Sequence, residues 1–258
     1  MDLVSSRYET ESSLSEYLLF HYGKDQDIMP YHFGPVKSIG FPVRCVSECL
    51  DIDALPSQSS ALELGCAVGR SSFELSRYCT KVVAVDRSEA FISAAKCMQQ
   101  NGFLEYSISE EGVHRKTQLA KVPEGVHPDR VAFRCCDVMD LNQEQDRYHV
   151  VLAANLLCRL PDPKAFLSFL PKLVFPQGQL ILTTPYSWLE EFTPRSRWLG
   201  AEESYSVYEE EKKNLEYIQN IIGEWFELVR YFDLPFLIRE HVRKYQWGVA
   251  QASVWKRK

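Results

Sequence analysis

Two acids and a pair of glycines are spaced early in the chain as a nucleoside-binding site requires. An apolar run over residues 61–65 ends at Gly65, and small residues lead through Gly69 to a helix start at Arg70. Such a turn brings free backbone N–H groups close to a ligand, and the start of a helix favours an anion. A second apolar run ends in Asp86, and an acid about 20 residues after the first glycine can bind both hydroxyls of a ribose. The pattern predicts a cofactor that contains a nucleoside.

The glycine turn departs from the fingerprint of dinucleotide-binding proteins. Its second and third glycine positions hold Ala67 and Arg70, and a bulky third residue opposes close packing of the helix on the strand. Glu63 has no place in that fingerprint either. The order Glu63, Gly65, Gly69, followed by a hydroxyl-bearing helix start, resembles the first motif of class I S-adenosylmethionine (SAM) methyltransferases. A nicotinamide dinucleotide and a site that has lost its ligand remain the alternatives.

Composition and charge exclude several kinds of partner. A hydrophobic content of 45% and a charged content of 25% are ordinary for a globular protein. The net charge of −6 disfavours binding to nucleic acid or to an anionic membrane. We see no signal peptide and no run of roughly 20 apolar residues that would span a membrane. The eight cysteines form no C-x-x-C pair, which favours a reducing, cytoplasmic location. We expect no metal, although Cys45 and Cys49 leave that alternative open.

The order of predicted elements indicates one domain over residues 1–258, with a helical cap in residues 1–58 and a Rossmann-like core in 59–258. The cap holds two helices, at residues 11–22 and 42–50. The core alternates strands and helices as a parallel sheet does. Its predicted strands are 61–65, 81–86, 131–136, 149–155 and 178–184, and its predicted helices are 70–78, 89–100 and 163–173.

Two insertions and a closing hairpin complete the predicted topology. A β-hairpin is inserted near residues 103–130, and a charged helical insertion lies near residues 195–222. The alternating residues 226–232 and 245–255 predict two antiparallel strands at the end of the chain. We therefore expect a mixed seven-stranded sheet with helices on both faces, the class I methyltransferase fold.

The ends of two further strands complete the predicted cofactor site, because ligands in open α/β sheets bind outside the carboxyl ends of the strands. Asp137 is placed to accept from the adenine amino group, with a helix cap as its alternative, while Val138 packs against the ring. Asn155 is expected where the methyl donor meets the acceptor, with a turn role as its alternative. Ser71 and Arg70 are placed to meet the methionyl carboxylate. The full predicted cofactor set is Glu63, Gly65, Cys66, Ala67, Gly69, Arg70, Ser71, Asp86, Arg87, Asp137, Val138 and Asn155.

Beyond the first motif, the chain resembles the methyltransferase family of ovothiol biosynthesis, the 4-mercaptohistidine N1-methyltransferases. This domain also occurs fused behind a histidine–cysteine sulfoxide synthase. The resemblance covers almost the whole chain, and its flanking blocks are more specific than the glycine motif. It rests on residues 15–23, 41–45, 64–75, 153–161, 188–194, 234–241, 246–247 and 250–255.

The resemblance implies methyl transfer from SAM to the imidazole π-nitrogen of 5-thiohistidine (4-mercaptohistidine), giving ovothiol A. The synthase module of the fused proteins, which carries an iron site, has no counterpart in this sequence. A separate sulfoxide synthase is therefore the expected partner. The stretch at residues 203–222 departs from the family pattern, which leaves the local lid and the substrate range open. Alternatives are another small imidazole or thiol metabolite as acceptor, or a non-catalytic SAM-binding partner of a synthase.

Selective methylation of the ring requires residues that hold the substrate thiolate away from the methyl and grip the amino-acid carboxylate and ammonium. The polar residues of the distinctive blocks are the candidates, and arginine suits a carboxylate best. A structural role remains the alternative for each of them. The predicted catalytic residues are Asn155, Tyr186 and His241, and the predicted substrate-binding residues are His21, Arg44, Arg159, Tyr186, Glu190, Arg239 and His241.

Overall fold

The computed structural model describes residues 8–201 and 214–258 of the chain. The charged stretch predicted near 203–222 therefore lies partly outside the described residues. In chain order the elements are α1 (Glu11–Tyr22), α2 (Asp25–Ile28), α3 (Phe41–Ser47), β1 (Ser60–Leu64), α4 (Arg70–Leu75), β2 (Lys81–Asp86), α5 (Glu89–Asn101), β3 (Phe103–Ser109), β4 (Arg115–Lys121), β5 (Val131–Cys135), β6 (Tyr148–Ala154), α6 (Pro163–Leu173), β7 (Val174–Thr184), α7 (Asn214–Ile222), β8 (Phe226–His241) and β9 (Lys244–Arg257).

Seven of the strands form one mixed sheet in the order β5-β2-β1-β6-β7-β9-β8. The first five are parallel, and β9 pairs antiparallel with both β7 and β8. Successive side chains of a strand point to opposite faces, so Leu62 and Val83 belong to one apolar cluster while Ala61 and Val82 belong to the other. Helices cover both faces, which explains why these strands are apolar throughout rather than alternating.

The register of the parallel strands brings the predicted site residues to one edge of the sheet. Leu64 pairs with Val85 of β2 and with Ala153 of β6, so these three strands end at the same level. The residues that follow them, among them Gly65, Asp86 and Asn155, therefore meet at that edge.

The two closing strands are longer than the sequence pattern predicts. Strand β8 continues through Pro235 to His241, although the alternating pattern predicts a strand over residues 226–232 only. Proline is tolerated there because β8 is an edge strand that pairs with β9 alone. The far half of this hairpin extends beyond the part that pairs with β7, which stops at Gln251 of β9.

Other predicted elements occur with shifted ends. Strands β3 and β4 form the expected inserted hairpin in a sheet of their own. Helix α4 ends at Leu75 rather than at residue 78, and α3 spans Phe41–Ser47 rather than 42–50. None of the helices in residues 8–201 and 214–258 is long and apolar enough to cross a membrane. Within the same ranges no cluster of three or more His, Cys, Asp or Glu residues could hold a metal ion.

Candidate functional site

A cavity of about 530 Å³ lies at the carboxyl ends of β1, β2 and β6. Helix α1 and the far half of the β8–β9 hairpin contribute the opposite walls, while the sheet edge contributes the loops after its strands. This volume falls in the range of about 300–1,000 Å³ that is typical of small-molecule sites. The predicted residues that line it are His21, Glu63, Gly65, Ala67, Ser71, Asp86, Arg87, Asp137, Val138, Asn155 and Arg159.

The glycine loop presents its backbone to the cavity but keeps most of its amides occupied. Gly65 has a φ of 74°, a left-handed conformation that a side chain would strain. The N–H groups of Gly65 and Cys66 donate to Val85, and that of Gly69 donates to Cys66. The expectation of free loop amides is therefore wrong for these residues. A pyrophosphate needs such free donors, so the loop suits a nucleoside cofactor without phosphate groups better than a dinucleotide.

Glu63 is a buried carboxyl at the floor of the cavity, with 1% of its surface exposed. The hydroxyls of Ser71 and Ser72, at the start of α4, each donate to one of its oxygens. Burial raises the pKa of Glu63 to about 7, although the two serine hydrogen bonds oppose this shift. The carboxyl is thus poised to ionise near neutral pH when a cation approaches.

Asp86 sits at the end of β2 with its carboxylate fixed by the protein itself. One oxygen accepts from the backbone N–H of Ala67 at 2.9 Å and the other from that of Ser88 at 2.9 Å. Burial raises the pKa of this carboxyl, while these two backbone bonds lower it. A carboxylate oxygen can accept more than one hydrogen bond. Asp86 therefore keeps capacity for ligand hydroxyls in the cavity.

Asp137 and Val138 line the cavity beside this acid. The Asp137 carboxylate accepts from the backbone N–H of Met139 at 2.9 Å, at the start of a 3-10 turn. The capping role that was the alternative for Asp137 is thus present. Its second oxygen takes no part in that bond and remains available to a ligand in the same cavity.

Asn155 follows β6 in a left-handed conformation, with a φ of 52°. Its backbone N–H donates to the carbonyl of Thr183 at 2.8 Å, and its side-chain oxygen accepts from the Thr183 hydroxyl at 3.1 Å. Asparagine tolerates this conformation better than most residues. The turn role is therefore present, and the residue also lines the cavity.

His21 brings a neutral imidazole to the wall formed by α1. Its Nδ1 is buried with no hydrogen-bond partner among the described residues. Burial, and secondarily the charge of Arg70, lowers the pKa of His21 to about 3. The ring therefore stays uncharged at physiological pH and acts as a hydrogen-bonding group rather than as a strong base.

Several cavity residues were not predicted from the sequence. Tyr8 and Glu16 line it from the N-terminal segment, while Phe236 and Trp247 line it from the closing hairpin. The blocks at residues 15–23, 234–241 and 246–247 carried the family resemblance, but nothing local showed which side chains would face a ligand. Pairing of β8 with β9 brings these blocks to the cavity.

Three predicted cofactor residues do not line the cavity. Cys66 is buried behind the loop. Gly69 has a φ of 82°, and a Cβ on it would lie 2.7 Å from the ring of Phe133, so its role is conformational. Arg70 forms an ion pair with Glu74 instead of facing a carboxylate ligand.

Arg239 is a structural junction rather than a wall residue of the cavity. Its side chain is 3% exposed and forms an ion pair with Glu110 at 2.9 Å. It also donates to the carbonyl oxygens of Asp27 and Ser109. The guanidinium thus ties β8 to α2 and to the inserted hairpin.

The remaining predicted substrate residues also lie outside the cavity wall. Arg44 pairs with Glu48 at 2.7 Å and donates to two backbone carbonyls. The Tyr186 hydroxyl donates to Gln251 at 2.8 Å, while its neighbours Pro185 and Ser187 line the cavity. His241 accepts from a backbone N–H in the turn between β8 and β9. Glu190 is exposed on the surface. None of these four residues, nor Arg239, is placed by the structure where it would contact an acceptor in the cavity.

Comparison with known protein families identifies the family to which this chain belongs. A family model described as a methyltransferase domain matches residues 42–245, which is most of the chain. The chain belongs to this methyltransferase family. The match includes β1 to β8 and hence every strand end at the cavity. Among curated proteins, none matches this methyltransferase.

Solved structures show the same fold at low sequence identity. Magnesium protoporphyrin IX methyltransferase ChlM from Synechocystis PCC 6803, with bound SAH, is 18% identical over 99% of each chain, with a TM-score of 0.57. The N-methyltransferase NodS from Bradyrhizobium japonicum WM9, in complex with S-adenosyl-L-homocysteine, is 12% identical over 95% of this chain and 98% of its own, with a TM-score of 0.50. The [4+2]-cyclase SpnF is 14% identical over 90% of this chain and 75% of its own, with a TM-score of 0.54.

Family and topology together confirm the predicted fold class and enzyme class. The protein is a methyltransferase with the class I, SAM-dependent fold, and SAM is the methyl donor of that class. The cavity fits this cofactor: Gly65 offers bare backbone, Asp86 offers acceptors for hydroxyls, and Glu63 offers a buried carboxyl for an ammonium. No evidence from these comparisons singles out the ovothiol family.

Proposed function

We propose that this methyltransferase binds SAM and a small acceptor side by side in the one cavity and transfers the methyl group to an imidazole nitrogen of 5-thiohistidine. The observation that carries the proposal is the continuity of the cavity. It runs from the acids of the sheet edge, Asp86 and Glu63, past Asn155 to the aromatic hairpin wall. A space of about 530 Å³ is in the size range of sites that bind small molecules.

The residues of the sheet edge hold the cofactor at its three polar regions. Asp86 accepts from the ribose hydroxyls, and Asp137 accepts from the adenine amino group. Glu63 pairs with the methionyl ammonium once it ionises. SAM, when bound, supplies an electrophilic methyl group on a sulfonium. These acids would hold the cofactor so that the acceptor binds beside it, on the side of Asn155.

The acceptor end is walled by the segments that carry the resemblance to the ovothiol family. Glu16 and His21 come from one such block, Phe236 from a second and Trp247 from a third. A planar imidazole packs well against aromatic rings such as that of Phe236. These shared blocks, rather than the general fold, support 5-thiohistidine as the acceptor.

Transfer to the ring requires an unprotonated nitrogen. A histidine imidazole, with an ordinary pKa of about 6.5, provides one at neutral pH, whereas the thiolate of 5-thiohistidine stabilises the protonated ring. His21, whose own pKa is far lower, cannot take up a proton there but can hold the acceptor by a hydrogen bond. Asn155 offers its amide beside the reacting atoms. Holding one ring nitrogen of the acceptor in place beside the bound donor would then be the main contribution of these residues to the rate.

The proposal is tested by incubating the purified protein with SAM and 5-thiohistidine, with histidine in a parallel reaction. We expect a gain of one methyl group on the thiolated substrate only, located on the ring by fragmentation in the mass spectrometer. Methylation of both substrates would show that the thiolate is not recognised. Methylation of neither, while SAM binds, would overturn 5-thiohistidine and favour another imidazole or thiol metabolite.

A non-catalytic SAM-binding role beside a synthase is the second candidate. SpnF, which has a similar fold, is described as a [4+2]-cyclase rather than as a methyltransferase. In that case SAM would bind and no acceptor would turn over, and the protein would form a complex with a sulfoxide synthase. We propose a cytoplasmic location for either role because the eight cysteines are free thiols.

A further inference from the structure

Arg159 is a cavity residue whose positive charge has only neutral partners in the described protein. It follows β6 by a short 3-10 turn, four residues after Asn155. Its guanidinium donates to the carbonyl oxygens of Ser187 at 2.8 Å and Cys158 at 3.0 Å. Within residues 8–201 and 214–258 we find no carboxylate at ion-pair distance from it.

The surroundings of Arg159 raise the cost of leaving this charge unpaired. The guanidinium carbon lies 5.0 Å from the centre of the Phe192 ring, so one face is shielded from water. A partly buried charge without a counter-ion is unfavourable, and a planar guanidinium is shaped to bind a carboxylate through two parallel hydrogen bonds. Its position on the cavity wall points to a ligand anion as the missing partner.

Two hydroxyl groups stand beside the guanidinium and extend the anion site. The Ser187 hydroxyl lies 3.5 Å from one terminal nitrogen of Arg159. The Tyr8 side chain lines the same cavity. Tyr8 also packs against Phe192, with ring centres 6.2 Å apart, so it closes the site from the N-terminal side. A carboxylate here meets one cation and two hydroxyls.

The location of this site separates it from the methionyl carboxylate of the cofactor. The methionine end of SAM belongs at the glycine loop, where Glu63 and Ser71 lie after β1. Arg159 instead contacts Ser187, beyond the end of β7, and β7 lies on the side of β6 away from β1. The other cavity arginine, Arg87, directly follows the ribose acid Asp86. The geometry therefore assigns Arg159 to the acceptor half of the cavity.

We infer that Arg159 is a specificity-determining residue that binds the carboxylate of the acceptor, with the hydroxyls of Ser187 and Tyr8 beside it. The inference rests on the proposed function, in that the same cavity must hold the acceptor. It requires an acceptor with a carboxylate and disfavours the decarboxylated amine. Hydrogen bonds to charged groups predict a preference of about 10- to 150-fold for the acid.

The test is a binding comparison on the complex of the protein with S-adenosylhomocysteine, which needs no turnover. Calorimetry would measure the affinity of this complex for two acids and for the corresponding amines. 5-Thiohistidine is compared with 5-thiohistamine, and histidine is compared with histamine. The variants are Arg159→Gln and Arg159→Lys, and the matched control is Arg195→Gln, an exposed arginine that does not line the cavity. Unfolding midpoints and SAM affinities would be measured for all of them.

The expected result is a preference for the acid in the wild type that Arg159→Gln removes by weakening the acid alone. Arg159→Lys should keep part of the preference, and SAM affinity and the control should be unchanged. Equal loss for acid and amine would indicate a merely structural arginine and overturn the inference. Equal wild-type affinities, or no binding by either acid, would overturn it as well. A further outcome is that the wild type shows the preference, and Arg159→Gln removes it, while the wild type fails to methylate 5-thiohistidine. That combination would retain the carboxylate site and reject only the proposed acceptor.

Discussion

Glu63 and Asp86 are both buried acids, yet the structure gives them different capacities. Asp86 is held by two backbone amides, so its carboxylate orientation is fixed before any ligand arrives. Glu63 has only two serine hydroxyls as partners and a pKa raised to about 7 by burial. At the scale of single residues, the first acid is therefore expected to provide constant affinity and the second to make affinity depend on pH.

Replacing Asp86 by asparagine should weaken SAM binding. The amide keeps the size of the side chain but loses the charge that accepts from two ribose hydroxyls, and we expect Kd to rise by about 5- to 150-fold. Calorimetric titration would measure it, with Asp140→Asn, an exposed acid of the neighbouring turn, as the control. An unchanged Kd in Asp86→Asn would show that the ribose binds elsewhere.

SAM affinity should fall as the pH falls through 7. Below its pKa of about 7 the Glu63 carboxyl is protonated, and an ammonium ligand must displace that proton, so Kd should rise about tenfold from pH 8 to pH 6. Glu63→Gln should flatten this dependence, while the exposed Glu124→Gln should retain it. A dependence that survives in Glu63→Gln would contradict the assignment.

The same shift has a consequence for the stability of the ligand-free protein. Glu63 has a raised pKa in the folded state, so its contribution is complete below the ordinary value of 4.5 and is lost as the pH rises through about 7. Glu63→Gln should remove this part of the pH dependence of unfolding.

At the scale of elements, Arg239 joins three parts of the chain that are distant in sequence. Strand β8, helix α2 and the inserted β3–β4 hairpin meet at its buried guanidinium. The family resemblance suggested a substrate contact, but the structure engages this side chain away from the cavity. Sequence alone cannot decide whether an arginine in a block that carries the family resemblance binds a ligand or stabilises the fold, because its partners come from other elements.

Arg239→Ala should destabilise the protein without changing its affinity for SAM. Removing one partner of a buried pair leaves uncompensated polar groups, at a cost of about 3–5 kcal/mol in the free energy of unfolding. Arg243→Ala breaks an exposed pair with Glu111 and should leave the free energy of unfolding almost unchanged. Denaturant unfolding would measure both. An Arg239→Ala protein of unchanged stability and raised KM for the acceptor would instead favour substrate binding.

At the scale of the whole molecule, the sequence was informative wherever a signal was local. Short stretches of sequence were enough to recognise the apolar run before Gly65, the acid that ends β2 and the residues that follow β5 and β6. The structure brings these features to one cavity. The alternation of strands and helices and the closing hairpin also predict the mixed seven-stranded sheet, whereas the order of its strands comes from the structure.

The acceptor half of the cavity could not be predicted in the same way. Tyr8, Glu16, Phe236 and Trp247 reach it only because α1 and the far half of the β8–β9 hairpin fold over the sheet edge. The alternating pattern moreover predicts a strand over residues 226–232 only, whereas β8 continues to His241. Which face of each segment meets the ligand depends on these distant pairings, which no short window contains.

Binding of SAM in this one cavity can be tested by a calorimetric titration of the wild-type protein with SAM. We expect a single site per chain, with an affinity that weakens in Asp86→Asn and at pH 6. No binding at millimolar SAM by a folded protein would contradict both the cofactor site and every function built on it.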